Sequence, residues 1–93
     1  MYSVLIVDDA TENIDILKEL LKDEYDVKAT TSGKVALKIA KEVKPDIILL
    51  DIIMPEMNGY EVCMELKKNP LTQKIPVIFI TVKDEEIDEI TGF

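Results

Sequence analysis

The chain has 93 residues, of which 19 are acidic and 11 are basic, and its formal net charge is −8. This length predicts one small domain, and the acidic balance excludes the basic surface with which proteins bind nucleic acid. No apolar stretch approaches the ~20 residues of a membrane span, and the N-terminus lacks the charged and apolar regions of a signal peptide. The single cysteine, Cys63, excludes an internal disulfide. We therefore expect a cytoplasmic domain with neither nucleic acid nor membrane as a partner.

Strand-like and helix-like hydrophobic patterns alternate along the chain. Apolar runs at residues 4–7 and 47–50 predict strands that are buried on both faces. Alternating polarity at residues 25–29 predicts a strand that is exposed on one face, at an edge of the sheet. The predicted elements, in chain order, are a strand at 4–7, a helix at 11–22, a strand at 25–29, a helix from Ser32 and Gly33 to the stop at Pro45, a strand at 46–50, a helix at 60–68, a strand at 76–81 and a helix that starts within 84–90.

This alternation of strands and helices predicts an α/β fold with a parallel sheet. Helices on both faces of the sheet give three layers, and the short connections should be right-handed. We expect the flavodoxin-like, doubly wound arrangement with strand order 2-1-3-4, which places the first strand beside the third. In such a sheet ligands bind beyond the carboxyl ends of the strands, where the direction of winding reverses.

Three aspartates stand where two of the buried strands end. Asp8 and Asp9 follow the first apolar run, and Asp51 follows the third strand. Carboxylates that meet at one edge repel each other unless a cation or a proton intervenes, so the cluster predicts a hard divalent metal. Magnesium prefers one or two carboxylates, water and a substrate phosphate, and Asp51 could then act as the nucleophile that forms an aspartyl phosphate. Thr81, at the end of the fourth strand, could offer its hydroxyl to a phosphoryl oxygen.

These polar residues also have structural interpretations. Asp9 and Glu12 have the spacing of a capping box at the start of the first helix. Asp51 could start a loop by accepting a hydrogen bond from its own backbone, and threonine is common at strand ends because of its β propensity. Ser32 and Asn58 are predicted to be helix caps.

The residues match a known family at several points. The stretch 51–59 reads Asp-Ile-Ile-Met-Pro-Glu-Met-Asn-Gly. This stretch, the acidic pair at residues 8 and 9, and the stretch 75–81 resemble the receiver domain of two-component response regulators. The resemblance covers the whole chain. The Asp-x-x-Met-Pro-x-Met-x-Gly pattern is highly specific, whereas the acidic pair alone would be a weak signal.

The resemblance implies a role for each matching residue. Asp51 corresponds to the phospho-acceptor, and Asp9 to the direct ligand of Mg²⁺, with Asp8 binding through water or assisting. The backbone carbonyl of Ile53 would complete the metal shell, and Thr81 corresponds to the switch hydroxyl that moves toward the phosphoryl group. The implied donor is a phosphohistidine of a sensor histidine kinase or phosphotransfer protein, or a small acyl phosphate. The implied activity is that of a self-phosphorylating switch domain, not of a turnover enzyme.

The sequence departs from the family pattern at its C-terminal end. Receiver domains have a fifth strand and a fifth helix, and with them the lysine of a Lys-Pro pair that contacts the phosphoryl group. Residues 1–93 lack all of these, and Lys83 is not at that lysine's position. We therefore expect a receiver domain that is incomplete at its C-terminus. Its fourth strand would then be an exposed apolar edge, which predicts self-association or a longer parent chain.

The sequence leaves two main functions open. The acidic residues favour a phospho-accepting switch in a phosphorelay. The missing lysine favours a receiver-like interaction or oligomerisation module that is not phosphorylated. A metal-dependent phosphohydrolase is a weaker third alternative, because such enzymes commonly carry a second acid two residues after the nucleophile, where this chain has Ile53.

Overall fold

A computed structural model of the chain describes residues 1–80. Parallel strands alternate with helices throughout this range. The elements are β1 (Ser3–Val7), α1 (Thr11–Leu21), β2 (Asp26–Thr30), α2 (Gly33–Val43), β3 (Ile47–Asp51), α3 (Gly59–Lys68) and β4 (Val77–Ile80). None of the helices within residues 1–80 combines the length and the apolar character that spanning a bilayer requires.

The strands form one parallel sheet in the order β2-β1-β3-β4. In the central pair, Val4 lies beside Ile47 and Val7 lies beside Leu50, so β1 and β3 end at the same edge of the sheet. The predicted strand order and the predicted parallel pairing are confirmed. β2 lies at the other edge of the sheet from β4 and shows the alternating exposure that its sequence pattern predicts.

Within residues 1–80, hydrophobic cores lie on both faces of the central strands. On one face, Leu5 and Ile48 pack with apolar side chains of α2 and α3. On the other face, Val4 and Ile6 pack with Ile14 of α1. Successive residues of a strand point to opposite faces, so strands that are apolar at every position need helices on both sides to exclude water. The predicted three-layer arrangement is confirmed.

The helices begin in different ways. The Ser32 side chain accepts a hydrogen bond from a backbone N–H of the first turn of α2 (3.2 Å). At α3, Asn58 and Glu61 form a capping box, with each side chain accepting from the backbone N–H of the other residue (3.0 Å for both). Both cap predictions are confirmed. α1 begins after Ala10, whose side chain makes no capping bond, so the capping box that the sequence allowed at Asp9 does not form.

The observed boundaries differ from the predicted ones by one or two residues. β3 extends to Asp51, one residue further than predicted, because Asp51 still pairs with Ile80 of β4. α3 begins at Gly59, directly after its Asn58 cap. The end of the predicted fourth strand, Thr81, and the predicted helix at 84–90 lie outside the described residues.

Candidate functional site

The structure brings Asp8, Asp9 and Asp51 together at the carboxyl edge of the sheet. One carboxylate oxygen of each residue lies within 4.8 Å of those of the other two. Asp8 follows β1 directly and Asp51 ends the neighbouring strand β3, so the pairing of these two strands determines how far apart they lie. The predicted convergence of the three carboxylates is therefore observed. The fourth predicted site residue, Thr81, lies outside the described residues.

The three carboxylates differ in their burial. Asp8 is 2% exposed and Asp51 is 8% exposed, whereas Asp9 is exposed in the loop between β1 and α1. The cluster therefore has a buried floor at the strand ends and an open side toward solvent. A small charged ligand could reach the buried carboxylates from that open side.

The surroundings of Asp51 disfavour its charged form. Burial, and then the negative charges of Asp8 and Asp9, raise the pKa of Asp51 to about 7, and a hydrogen bond with the Asp9 side chain adds to the rise. A hydrogen bond from the backbone N–H of Ile53 lowers the pKa of Asp51 by a smaller amount. A cation bound among these carboxylates would offset their mutual repulsion, and carboxylates that raise the pKa of a neighbour in this way are typical of a site that attracts cations.

Asp8 accepts a hydrogen bond at each of its two carboxylate oxygens. The backbone N–H of Ala10 donates to Oδ1 (2.9 Å), and the side-chain amide of Asn13 donates to Oδ2 (3.2 Å). Asn13 lies in the first turn of α1, next to the end of β1, where its amide reaches Asp8. The sequence reasoning missed Asn13. The sequence feature that could have identified it is an amide side chain five residues after Asp8, in the first turn of the helix that follows β1.

Gly59 fixes the loop between β3 and α3 against the end of β3. Its N–H donates to the carbonyl oxygen of Ile52 (2.8 Å). A Cβ atom at this position would collide with the carbonyl oxygen of Asp51 and would lie 2.9 Å from the Cα atom of Ile52. Gly59 does not have a positive φ, so the position needs glycine because two backbone segments approach closely. This contact holds Asp51 in place from its C-terminal side.

The donor set of the cluster fits a hard divalent cation. Three carboxylates and the neighbouring backbone carbonyls supply oxygen ligands, which Mg²⁺ and Ca²⁺ prefer. The chain has no histidine and one cysteine, so it lacks the nitrogen and sulphur ligands that are typical of structural zinc sites. Three side chains do not fill an octahedral shell, and the remaining positions could be taken by water or by phosphate oxygens.

The sequence matches the family of response regulator receiver domains over residues 4–93. A curated protein of Vibrio cholerae, named a probable cyclic di-GMP phosphodiesterase, is 50% identical over 91 residues, which make up 98% of this chain and 21% of that protein. The chain spans about a fifth of the length of this relative and of a second one, the response regulator PleD of Caulobacter vibrioides, to which it is 44% identical over 96% of its own length.

Solved structures share the fold. The N-terminal domain of a response regulator receiver protein from Methanoculleus marisnigri has a TM-score of 0.85 at 34% identity, over 89% of this chain and 68% of that chain. The receiver domain of a sensor histidine kinase from Pseudomonas aeruginosa has a TM-score of 0.79 at 25% identity, over 84% of this chain and 65% of that chain. That second structure has a magnesium ion coordinated in its active site cleft.

Proposed function

This chain belongs to the family of response regulator receiver domains, and from that premise we propose that it is a phospho-accepting switch of two-component signalling. In this proposal Asp51 receives a phosphoryl group from a phosphohistidine of a sensor histidine kinase or of a phosphotransfer protein. The observation that carries the proposal is the meeting of three carboxylates within 4.8 Å of one another beyond the ends of β1 and β3. Parallel α/β sheets bind their ligands at this place.

The proposal assigns a Mg²⁺ ion to Asp8, Asp9, Asp51 and the backbone carbonyl of Ile53. The bound ion would offset the negative charge of the carboxylates and of the phosphoryl oxygens. Two properties of the chain support this assignment. The ligands are all oxygens, and burial together with the negative charges of Asp8 and Asp9 raises the pKa of Asp51 to about 7, which shows how closely the negative charges are concentrated there. The magnesium ion in the similar receiver domain from Pseudomonas aeruginosa is consistent with it.

Asp51 is suited to act as the nucleophile. In the proposed transfer, one of its carboxylate oxygens forms a bond to phosphorus while the bond from phosphorus to the imidazole nitrogen of the donor breaks, and that nitrogen takes up a proton. Asp51 is 8% exposed, so a donor can reach its carboxylate only from the open side of the cluster. Its place at the end of β3 and the contact with Gly59 hold its backbone in position. The product is the phosphorylated chain itself, which makes the domain a switch and not a turnover enzyme.

We propose Thr81 as the switch hydroxyl that responds to phosphorylation. This role comes from the family pattern and not from coordinates, because Thr81 lies outside the described residues. The residue before it, Ile80, pairs with Asp51 across the sheet. The end of β4 is therefore adjacent to the proposed acceptor, which supports a role for this strand in transmitting the change.

Phosphorylation by acetyl phosphate with Mg²⁺, followed by intact mass spectrometry, tests the proposed function. We expect the intact protein to gain one phosphoryl group and the Asp51→Asn variant to gain none. Asp26→Asn is the matched control, because Asp26 is an exposed carboxylate at the first residue of β2, far along the strands from the site. Equal labelling of the Asp51→Asn variant would exclude Asp51 as the acceptor. A wild-type protein that takes no label from acetyl phosphate or from a phosphohistidine donor would exclude the switch.

A receiver-like interaction module that is not phosphorylated is the second candidate. The observation that favours it is Ile78 of β4, an apolar side chain that is 47% exposed on the last strand of the described sheet. Beryllofluoride, which imitates a phosphoryl group, separates the two candidates in a calorimetric titration with MgCl₂. A phospho-accepting site should bind beryllofluoride and Mg²⁺ together, whereas an interaction module should not bind the two together.

A further inference from the structure

We infer that Asn13 is a positioning residue, whose side-chain amide holds the Asp8 carboxylate in the orientation that the cation site requires. The inference rests on the proposed function, because it concerns the same cluster of carboxylates. It adds a residue on α1 that neither the family motif nor the acidic cluster includes. Asn13 is not assigned a contact with the reacting groups, and it acts on the site through its hydrogen bond to Asp8.

The hydrogen bonds of Asp8 leave its carboxylate little freedom to rotate. The Ala10 N–H bonds Oδ1 at 2.9 Å, and the Asn13 amide bonds Oδ2 at 3.2 Å. Among residues 1–80, Asn13 supplies the one side-chain hydrogen bond to Asp8. Any residue at position 10 except proline could supply the backbone bond. The bond to Oδ2 depends on the side chain at position 13.

Asn13 is better explained by Asp8 than by the stability of α1. It is the third residue of the helix, a position at which an acidic side chain would favour the helix dipole. Asparagine is also a poor residue inside a helix, because its side chain competes for backbone hydrogen bonds. Here the amide donates its hydrogen bond out of the helix, to a carboxylate that is 2% exposed.

The amide also opposes the repulsion within the cluster. The carboxylates of Asp9 and Asp51 approach within 4.8 Å of that of Asp8, and repulsion among them favours rotation of Asp8 away from the other two. The Asn13 donor keeps Oδ2 in place before any cation arrives. Groups that hydrogen-bond to metal ligands in this way typically contribute a factor of about 10 or more to metal affinity.

Calorimetric titration of the intact protein with MgCl₂ tests the inference. We expect Asn13→Ala and Asn13→Leu to weaken Mg²⁺ binding by about tenfold, because each removes the amide donor without adding a charge. Asn13→Leu keeps the approximate size of the side chain and has a better helix propensity, so it should remain folded even if Asn13→Ala does not. Thr11→Ala, an exposed substitution in the same turn, is the control and should bind Mg²⁺ like the wild type. Wild-type affinity in either folded Asn13 variant would overturn the inference.

Hydrogen exchange of the Ala10 amide gives a second readout that needs no metal. If Asn13 positions Asp8, its removal should free the carboxylate and speed exchange at Ala10, while amides in the middle of α1 keep their protection. Unchanged exchange at Ala10 in the Asn13 variants would overturn the inference. If the wild type itself binds no Mg²⁺, the proposed metal site is wrong, and exchange at Ala10 alone then decides whether Asn13 positions Asp8.

Discussion

Asp51 holds its proton up to about pH 7 when no cation balances the charges around it, compared with an ordinary pKa of 3.8. The pKa in the folded state is therefore above that in the unfolded state. Between these two values the folded state binds more protons than the unfolded state, so the free energy of unfolding falls as the pH rises through this window. Solvent on the open side of the cluster screens part of this effect. We therefore expect deprotonation of Asp51 to lower the free energy of unfolding by about 1–2 kcal/mol at alkaline pH.

Urea unfolding in EDTA at about pH 5 and about pH 8 measures this cost directly. Between the lower and the higher pH, the free energy of unfolding of the wild type should fall by about 1–2 kcal/mol more than that of Asp51→Asn, because asparagine cannot titrate. Excess Mg²⁺ should restore the wild type at pH 8 and leave the variant almost unchanged, since a bound cation stabilises the folded state. A parallel pH dependence of the two proteins would show that Asp51 does not have the raised pKa.

The substitution Gly59→Ala tests whether the close contact between Gly59 and the backbone at the end of β3 contributes to stability and to the site. In Gly59→Ala the new methyl group would collide with the backbone carbonyl of Asp51. Backbone cannot move as a side chain can, so we expect a loss of about 2–3 kcal/mol in the free energy of unfolding. Because Asp51 would be displaced, Mg²⁺ affinity measured by calorimetry should fall as well.

Gly33→Ala is the matched control for that substitution. A Cβ atom on Gly33 would lie 2.8 Å from Cγ2 of Val62, which belongs to a side chain on the neighbouring helix α3. Repacking of side chains, together with the better helix propensity of alanine, should limit the change to about 1 kcal/mol. Equal losses in the two variants would mean that the contact of Gly59 with the Asp51 backbone has no special role.

At the scale of elements, α2 ends in a strained conformation. Its C-cap, Lys44, has φ = 50°, the one positive φ of a non-glycine residue among residues 1–80. This left-handed conformation costs a residue with a Cβ atom about 1–2 kcal/mol, whereas glycine adopts it freely. We expect Lys44→Gly to raise the free energy of unfolding by about 1 kcal/mol, measured in urea. Lys41→Gly, inside the last turn of α2, should instead lower it by about 1 kcal/mol.

The order and type of the elements in residues 1–80 followed from the sequence, and their exact ends did not. Hydrophobic runs distinguish buried strands from amphipathic helices, and they correctly predicted the edge position of β2. The start of α1 shows the limit of such patterns. Asp9 and Glu12 have the spacing of a capping box, yet Ala10 is the N-cap and makes no side-chain bond. Spacing alone cannot show that Asp8, buried at the strand end, accepts the hydrogen bonds of this turn.

At the scale of the whole molecule, the candidate site follows from topology. A parallel sheet with β1 beside β3 must bring residues 8, 9 and 51 to one edge, so their convergence could be predicted before any coordinates. Two further properties needed coordinates. The contact of Gly59 with the Asp51 backbone joins residues eight positions apart through a loop, and the pKa of Asp51 depends on burial and on distances between charges.

The outer strand β4 leads to a prediction about association of the chain. Among residues 1–80, β4 has a strand neighbour on one side, β3, and its residue Ile78 is 47% exposed. An apolar strand with unpaired backbone groups can pair with the same strand of a second copy. We therefore expect a protein of residues 1–93 to associate at high concentration, as measured by size-exclusion chromatography with light scattering.

Ile78→Lys should shift this protein toward the monomer, because a charged side chain on an outer strand opposes pairing between copies. The control is Leu20→Lys, which replaces an apolar residue of α1 that is 72% exposed and should leave association unchanged. Both variants should keep the circular dichroism spectrum of the wild type, since neither side chain belongs to a buried core. A wild-type protein that is monomeric and well folded at high concentration would contradict pairing through β4, and it would also count against a module that works by association of copies.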